Sequence, residues 1–225
     1  MKIKEIKKMK TVIDEVLKAG QHFYDIFGKT YSSGVIGELL VTKRILEKYE
    51  RELTSDNNCN IEFKGNCIQK FDIFLNLKEL KFKINAKATT TQENGKPKWV
   101  RQHAKNYATI KNKNKKTLCS PRTDYDESLF YVFVDVKRWL DQSKAEFYIL
   151  SDSDAKKTFG KKYSKKYNGK TIRTNESDDM WTEYKDIKKF KDNNLKRFKK
   201  ELEENCKNLK KNESKLTDTG KIARL

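Results

Sequence analysis

Asp72, Asn85 and Lys87 are the polar side chains in this sequence best placed to do chemistry. They lie in the stretch Phe71 to Thr90, FDIFLNLKELKFKINAKATT. Phe71, Ile73, Leu75 and Leu77 alternate with Asp72, Phe74 and Asn76. Further on, Phe82, Ile84, Ala86 and Ala88 alternate with Lys81, Lys83, Asn85 and Lys87. A period of two predicts a β-hairpin and sets Asn85 and Lys87 on one face of its second strand. Leu77-Lys78-Glu79-Leu80 supplies the reversal. A carboxylate at a partly buried strand position needs a metal, an ion pair or a catalytic role to offset its desolvation. Two readings stand side by side at this stage. Asp72 could pair with Lys87 across the hairpin. Alternatively, an acid on one strand and an x-x-Lys pair on the next could hydrolyse a phosphodiester. That reaction needs a hard cation on oxygen ligands, which stabilises developing charge and acidifies bound water. A lysine beside the ion would orient the water.

The elements around the hairpin follow from periodicity. Ile3, Ile6, Met9, Ile13, Val16 and Leu17 predict a helix over 2–27, with Gly20 as its expected end and an aromatic patch after it. A second helix is expected from Ser32 or Ser33 to about Tyr49, with Val35, Leu39, Leu40, Ile45 and Leu46 as its apolar stripe and Glu38 within it. Residues 53–60 read as a loop, Ile61 and Phe63 as a short strand, and 92–120 as an irregular basic segment anchored by Trp99. LFYVFVDV (Leu129 to Val136) has the composition of a central strand buried on both faces, and Phe147 to Leu150 that of another. Ser151, Asp152 or Ser153 can cap a following helix, which Gly160 weakens. A long charged helix is expected from about Lys185 to Asn212. The fold class is therefore α/β, a mixed β-sheet flanked by helices with a long C-terminal helix. The organisation divides into a helical segment 1–30, a central domain 31–190 and a charged helix and tail 191–225.

Composition points to a polyanionic partner. Lys+Arg number 51 against 32 Asp+Glu, a net charge of +19. Such a surface favours nucleic acid through counterion release. The four cysteines show no C-x-x-C spacing and only two histidines accompany them, which argues against structural zinc. Free thiols, a charged N-terminus with no apolar h-region, and no apolar run of the ~20 residues that span a bilayer lead us to expect a cytoplasmic protein with no membrane partner. No glycine-rich phosphate loop is present.

Gly37-Glu38-Leu39-Leu40, Phe71-Asp72-Ile73 and Ile84-Asn85-Ala86-Lys87-Ala88-Thr89, in that order, resemble the PD-(D/E)xK nuclease superfamily, and more narrowly small type II restriction-endonuclease-like proteins. Trp99, LFYVFVDV, EFYILSDSDA and Trp181 extend the similarity from about Gly34 to Phe190. The resemblance implies a restriction-endonuclease-like core and a Mg²⁺-dependent endonuclease acting on double-stranded DNA, with Mn²⁺ as a substitute ion. It implies that Asp72 is the main metal ligand, that Asn85 and the carbonyl of Ala86 assist it, that Lys87 is the catalytic lysine, and that Glu38 reaches a metal-bound water. Asn85 departs from the pattern, which usually has Glu or Asp there; related proteins often carry Gln. Glu62, Glu79 and Glu93 are alternative carboxylates. A restriction role would bring a homodimer, because palindromic sites need two active centres, and a cognate DNA methyltransferase. A degenerate, non-catalytic DNA-binding module is the other reading.

Contacts to DNA are expected from two basic regions that interleave lysine with tyrosine. Arg101, Gln102, Asn106, Arg122 and Arg173 carry groups that can read base edges. Lys161, Lys162, Lys165 and Lys166 would contact phosphates.

Overall fold

The computed structural model describes residues 1–27, 33–55, 58–63, 71–77, 80–90, 92–113, 116–136, 145–167, 179–200 and 204. Three helices come first: α1 (Ile3–Phe27), α2 (Ser33–Lys48) and α3 (Glu50–Ser55). Next come β1 (Asn60–Phe63) and the hairpin β2 (Ile73–Leu77) and β3 (Leu80–Thr89). The basic segment contains β4 (Gln92–Glu93), β5 (Lys96–His103), α4 (Ala104–Tyr107), β6 (Ala108–Lys113) and β7 (Lys116–Pro121). Then follow β8 (Leu129–Asp135), β9 (Glu146–Ser151), α5 (Asp152–Tyr167), β10 (Asp179–Glu183) and α6 (Tyr184–Ile187).

The main sheet has five strands in the order β1-β2-β3-β8-β9. Only the β3–β8 pair is parallel. The chain is thus a mixed α/β protein with helices on both faces of a mixed sheet. Strand β8 is buried along its whole length, as its unbroken apolar run requires of a central strand. One face of the sheet presents Ile73, Leu75, Phe82, Ile84, Ala86, Ala88, Phe130, Val132 and Val134 to a core covered by α2, on which α1 packs in turn. The other presents Leu129, Tyr131, Phe133, Tyr148 and Leu150 to α4, α5 and Trp99. Trp99 is fully buried and its Nε1 donates to the Val134 carbonyl at 2.9 Å, so it anchors the basic segment to the sheet.

Several sequence expectations are corrected. Helix α1 continues through Gly20 to Phe27, with the Phe23 and Phe27 rings 4.6 Å apart. The buried stripe of α2 is Ile36, Leu40, Val41, Ile45 and Leu46, whereas Val35 is exposed, so the stripe lies one position away from the expected one at its start. Residues 50–55 are helical because Leu53 buries against the core. The described residues of 92–120 form β4 to β7 and α4. Two central parallel strands cannot be joined by a hairpin, and this segment is their crossover. In its β6–β7 ladder Ile110 and Cys119 stand opposite each other and pack on the core, their neighbours Lys111 and Leu118 are exposed, and the lysine content hides the pattern.

The expected helix from Lys185 is not continuous. It is replaced by α6, a 3-10 turn (Lys188–Phe190), a bridge of Lys191 to Tyr148, and a turn before helical residues 196–200. Asp192 makes the break. Its backbone N–H donates to the Phe147 carbonyl at 2.9 Å, and its carboxylate accepts from the N–H groups of Asn194 and Arg197 at 3.2 and 2.7 Å. Leu195 takes a left-handed conformation (φ 53°) to bury between them. Ile6, Ile13 and Leu17 near one end of the chain and Leu195 and Phe198 near the other share the hairpin's own core cluster.

Two glycines are fixed by close approach. A Cβ on Gly37 would sit 2.3 Å from the Cβ of Ala88, so α2 lies against β3 at a distance only glycine permits. A Cβ on Gly160 would meet the Pro121 Cα at 2.6 Å and the Tyr107 carbonyl oxygen at 2.9 Å, so this glycine seats α5 on the β6–β7 hairpin. Gly37→Ala gains the ~1 kcal/mol of helix propensity yet overpacks a rigid contact, at a cost of about 1–3 kcal/mol. Urea unfolding of Gly37→Ala should show net destabilisation, and Ala88→Gly in the same chain should be less costly than alone; additive effects would contradict the contact. Gly160→Ala should be destabilised at least as much, because backbone atoms stand in its way.

Candidate active site

Asp72 directly precedes β2, and its backbone N–H donates to the Ile84 carbonyl at 2.8 Å, which continues the ladder. The β2–β3 register, Ile73 opposite Ile84, therefore brings Asp72 across from Asn85. Asp72, Asn85 and Lys87 all occupy half-buried positions on the polar side of the hairpin, while Ile73, Ile84 and Ala86 fill the core side. The Ala86 N–H donates to Asp72 Oδ2 at 2.7 Å, which ties the carboxylate to β3. Among the described residues no direct ion pair joins Asp72 to Lys87. Lys87 acts on Asp72 through its field.

Glu38 reaches this centre from α2. Gly37, its neighbour, rests on Ala88, the neighbour of Lys87, so the shortest helix–strand approach lies beside the candidate lysine. Burial holds the Glu38 carboxyl above its ordinary pKa; the Asp72 carboxylate adds to the rise, and Lys87 opposes it. Burial likewise raises Asp72, against the Lys87 charge and the Ala86 hydrogen bond. Two carboxylates and an ammonium thus share one partly desolvated spot. The donors are hard oxygens, from Glu38, Asp72 and the Asn85 amide, and both acids are held where a cation would relieve them, so the set suits Mg²⁺. Among the described residues no group of three or more His, Cys, Asp and Glu could hold a metal ion. Any ion here would rest on two carboxylates, neutral oxygens and substrate phosphate.

Beyond Asn85 and Lys87 the polar face opens into a cavity of about 360 Å³, also lined by Asn106, Arg122, Asp126, Tyr131, Asp152 and Lys156. Its inner wall is a charged network. Asp152 is buried, pairs with Lys156 of the next helical turn, and accepts from the Asp126 N–H at 2.9 Å. Asp126 in turn takes Lys83 Nζ at 2.9 Å, and Lys83 stands one strand repeat before Asn85. Burial, with the Asp152 carboxylate, pushes the Tyr131 hydroxyl well above its ordinary range, so it stays a protonated donor. The sequence reading missed Asp126, Asp152 and Lys156 as parts of the site. Asp152 had one visible signal, its place at the start of α5, but Ser151 is the cap there: its Oγ accepts from the Asp154 N–H at 3.2 Å.

The residues expected to contact DNA divide. Asn106 and Arg122 line the cavity mouth, yet Arg122 is already bonded to the Asp124 carboxylate and donates to the Lys105 carbonyl. Lys161, Lys165 and Lys166 are exposed on α5. Lys162 is instead a structural residue, donating to Asp186 at 2.7 Å and to the Trp181 carbonyl at 3.1 Å. Tyr163 and Tyr167, interleaved with these lysines, turn inward and are buried. Arg101 and Gln102 lie on β5 opposite Trp181 and Met180, but their side chains, and the whole of Arg173, lie outside the described residues. Of the alternative carboxylates, Glu62 bonds Asn60 and Glu93 bonds Lys98 away from the centre, and Glu79 lies outside the described residues. No helix among the described residues is long and apolar enough to cross a membrane.

No family model matches the chain, and no curated protein matches it. Among solved structures, a bacterial homing endonuclease is similar at 13% identity and a TM-score of 0.34, over 56% of this chain and 70% of that one. A likeness of that size fixes neither fold nor function, so what the chain does has to be argued from its own hairpin.

Proposed function

We propose that this protein is a Mg²⁺-dependent endonuclease of restriction type that hydrolyses phosphodiester bonds in double-stranded DNA. The observation that supports the reading best is the convergence of Glu38, Asp72 and Lys87 at one half-buried point of the β2–β3 hairpin, with Asn85 on the same face. The net charge of +19 supports a polyanionic substrate. When bound, Mg²⁺ would offset charge at the phosphate and acidify a water. Asp72 and Glu38 would hold it, with Asn85 and the Ala86 carbonyl assisting, and Mn²⁺ would substitute. The hydrogen bond from Ala86 fixes the Asp72 carboxylate before substrate arrives. Lys87 sits close enough to lower the pKa of both acids, and in the same place it would orient the attacking water and face the developing phosphate charge. Exposed lysines on α5 would hold the DNA backbone.

Asn85 favours a second reading. An amide oxygen is a weaker ligand than a carboxylate, and the chain would then be a DNA-binding module that no longer cleaves. Plasmid incubated with Mg²⁺ or Mn²⁺ distinguishes the two. We expect cleavage by the wild type that chelation abolishes, a loss beyond detection in Asp72→Ala, and a loss of about 10²–10³-fold in Lys87→Ala, the size typical of one preorganised electrostatic group. No cleavage across varied DNAs, with calorimetry finding DNA binding but no divalent-ion site, would establish the second reading instead. Asn85→Asp places an acid where the weaker amide ligand stands. It should tighten Mg²⁺ binding by roughly tenfold, about 1.4 kcal/mol, as read by calorimetry; unchanged affinity would remove Asn85 from the ligand set.

A further inference from the structure

From Asn94 to Thr123 the chain holds nine Lys and Arg and no Asp or Glu, although 32 acids spread evenly over 225 residues would place about four in those thirty positions. Strands β6 and β7 lie within this acid-free run and form a two-stranded sheet of their own. Their register sets Ile110 opposite Cys119 and Lys111 opposite Leu118. The pleat gives the ribbon two faces. Ile110 and Cys119 pack on the core, and Pro121 rests on Gly160 of α5. The Lys111–Leu118 rung belongs to the other face, and both residues are exposed, Leu118 by 52%. Among the described residues Leu118 is the one exposed large apolar side chain in the acid-free run. The ribbon has its foot at the candidate site. The Arg122 N–H donates to the Tyr107 carbonyl at 3.1 Å and closes that end, and Asn106, Tyr107 and Arg122 line the cavity that opens beside Asn85 and Lys87.

We propose that the β6–β7 ribbon lies in the major groove of duplex DNA and reads it through the Lys111–Leu118 rung. Three features select this partner. The first is width. Paired strands stand about 4.8 Å apart, so the ribbon with its side chains fits a groove about 12 Å wide and is too broad for the minor groove of about 6 Å. The second is the chemistry of the rung. Leu118 offers an apolar surface to the thymine 5-methyl group, and the Lys111 ammonium can donate to the N7 and O6 acceptors of guanine; the major groove alone displays all three. The third is charge. A groove is walled by phosphates on both sides, and the run that holds the ribbon carries no carboxylate to repel them. Lys111 stands three residues from Ala108 at the foot, about 10 Å of strand, so the base contact and the candidate chemistry fall on one short stretch of duplex. The inference rests on duplex DNA as the partner proposed above, and not on cleavage.

Repeated selection of the full chain on random-sequence duplexes, with EDTA present to prevent cleavage, yields its tightest-bound sequences, and fluorescence anisotropy on one of them tests the inference. Lys111→Ala and Leu118→Ala should each weaken binding by about fivefold or more. Lys8→Ala and Val12→Ala, matched exposed residues on α1, should change it by less than about twofold and control for loss of charge and of apolar surface. All four variants should keep the wild-type thermal midpoint. The same duplex made with uracil in place of thymine lacks the 5-methyl groups; it should bind the wild type about threefold more weakly and Leu118→Ala no differently. Netropsin, which fills the minor groove, should not displace the protein. Selection that enriches no sequence, ribbon variants that behave like the α1 controls, a uracil duplex bound as tightly as its thymine counterpart, or displacement by netropsin would each overturn the assignment while leaving DNA binding in place. A wild type that binds no duplex would overturn it together with the proposed function.

Discussion

Strand β3 is the constraint on which the rest of this molecule depends. Its pleat divides ten residues between two jobs. Phe82, Ile84, Ala86 and Ala88 bury in the core beneath α2, and Lys83, Asn85 and Lys87 project to the opposite side. A slip of one residue against β2 or β8 would put lysines into the core and apolar groups into the candidate site. The core therefore enforces the position of the chemistry. The Asp72 carboxylate adds a second lock, because its bond to the Ala86 N–H is available only in this register.

The same alternation explains what the sequence revealed and what it concealed. The hairpin, the buried run of β8 and the pairing of Asp72 with the Asn85–Lys87 strand were legible, because period two and apolar runs are local signals. Glu38 was placed on its helix, but its approach to the centre depends on Gly37 meeting Ala88, a contact 51 positions apart in the chain. Asp126, Asp152 and Lys156 were invisible for a similar reason: each looks like a surface residue until β8 and α5 bring them together. The crossover strands were masked by their lysines, which serve solubility on one side of ladders whose other side packs on Trp99 and Tyr107. The C-terminal helix failed as a prediction because the Asp192 carboxylate takes the backbone donors of Asn194 and Arg197 that follow it, a local competitor that a periodic stripe cannot register.

Charge is spread unevenly among roles that composition alone equates. Lys162 holds β10 and α6, Lys156 neutralises a buried acid, and Lys83 steadies Asp126, whereas Lys161, Lys165 and Lys166 remain open to solvent. An excess of basic residues is thus partly architecture. The inward turn of Tyr163 and Tyr167 makes the same point for the aromatics: their interleaving with lysine marked a region expected to contact DNA, and burial makes them the underside of α5.

The parallel pairing of β3 with β8 has a consequence for how such a protein can diversify. Thirty-nine residues leave the sheet at Thr89 and return at Leu129, and the two strand ends are pinned by register. Loop closure grows only as the logarithm of length. The exposed turns of the excursion can change in length and surface with little strain on the strands that bracket it, while buried Trp99 and Tyr107 hold its packed parts in place. The surface that β4 to β7 present can therefore change while the hairpin beneath them stays fixed, so the candidate site and its surroundings can vary separately.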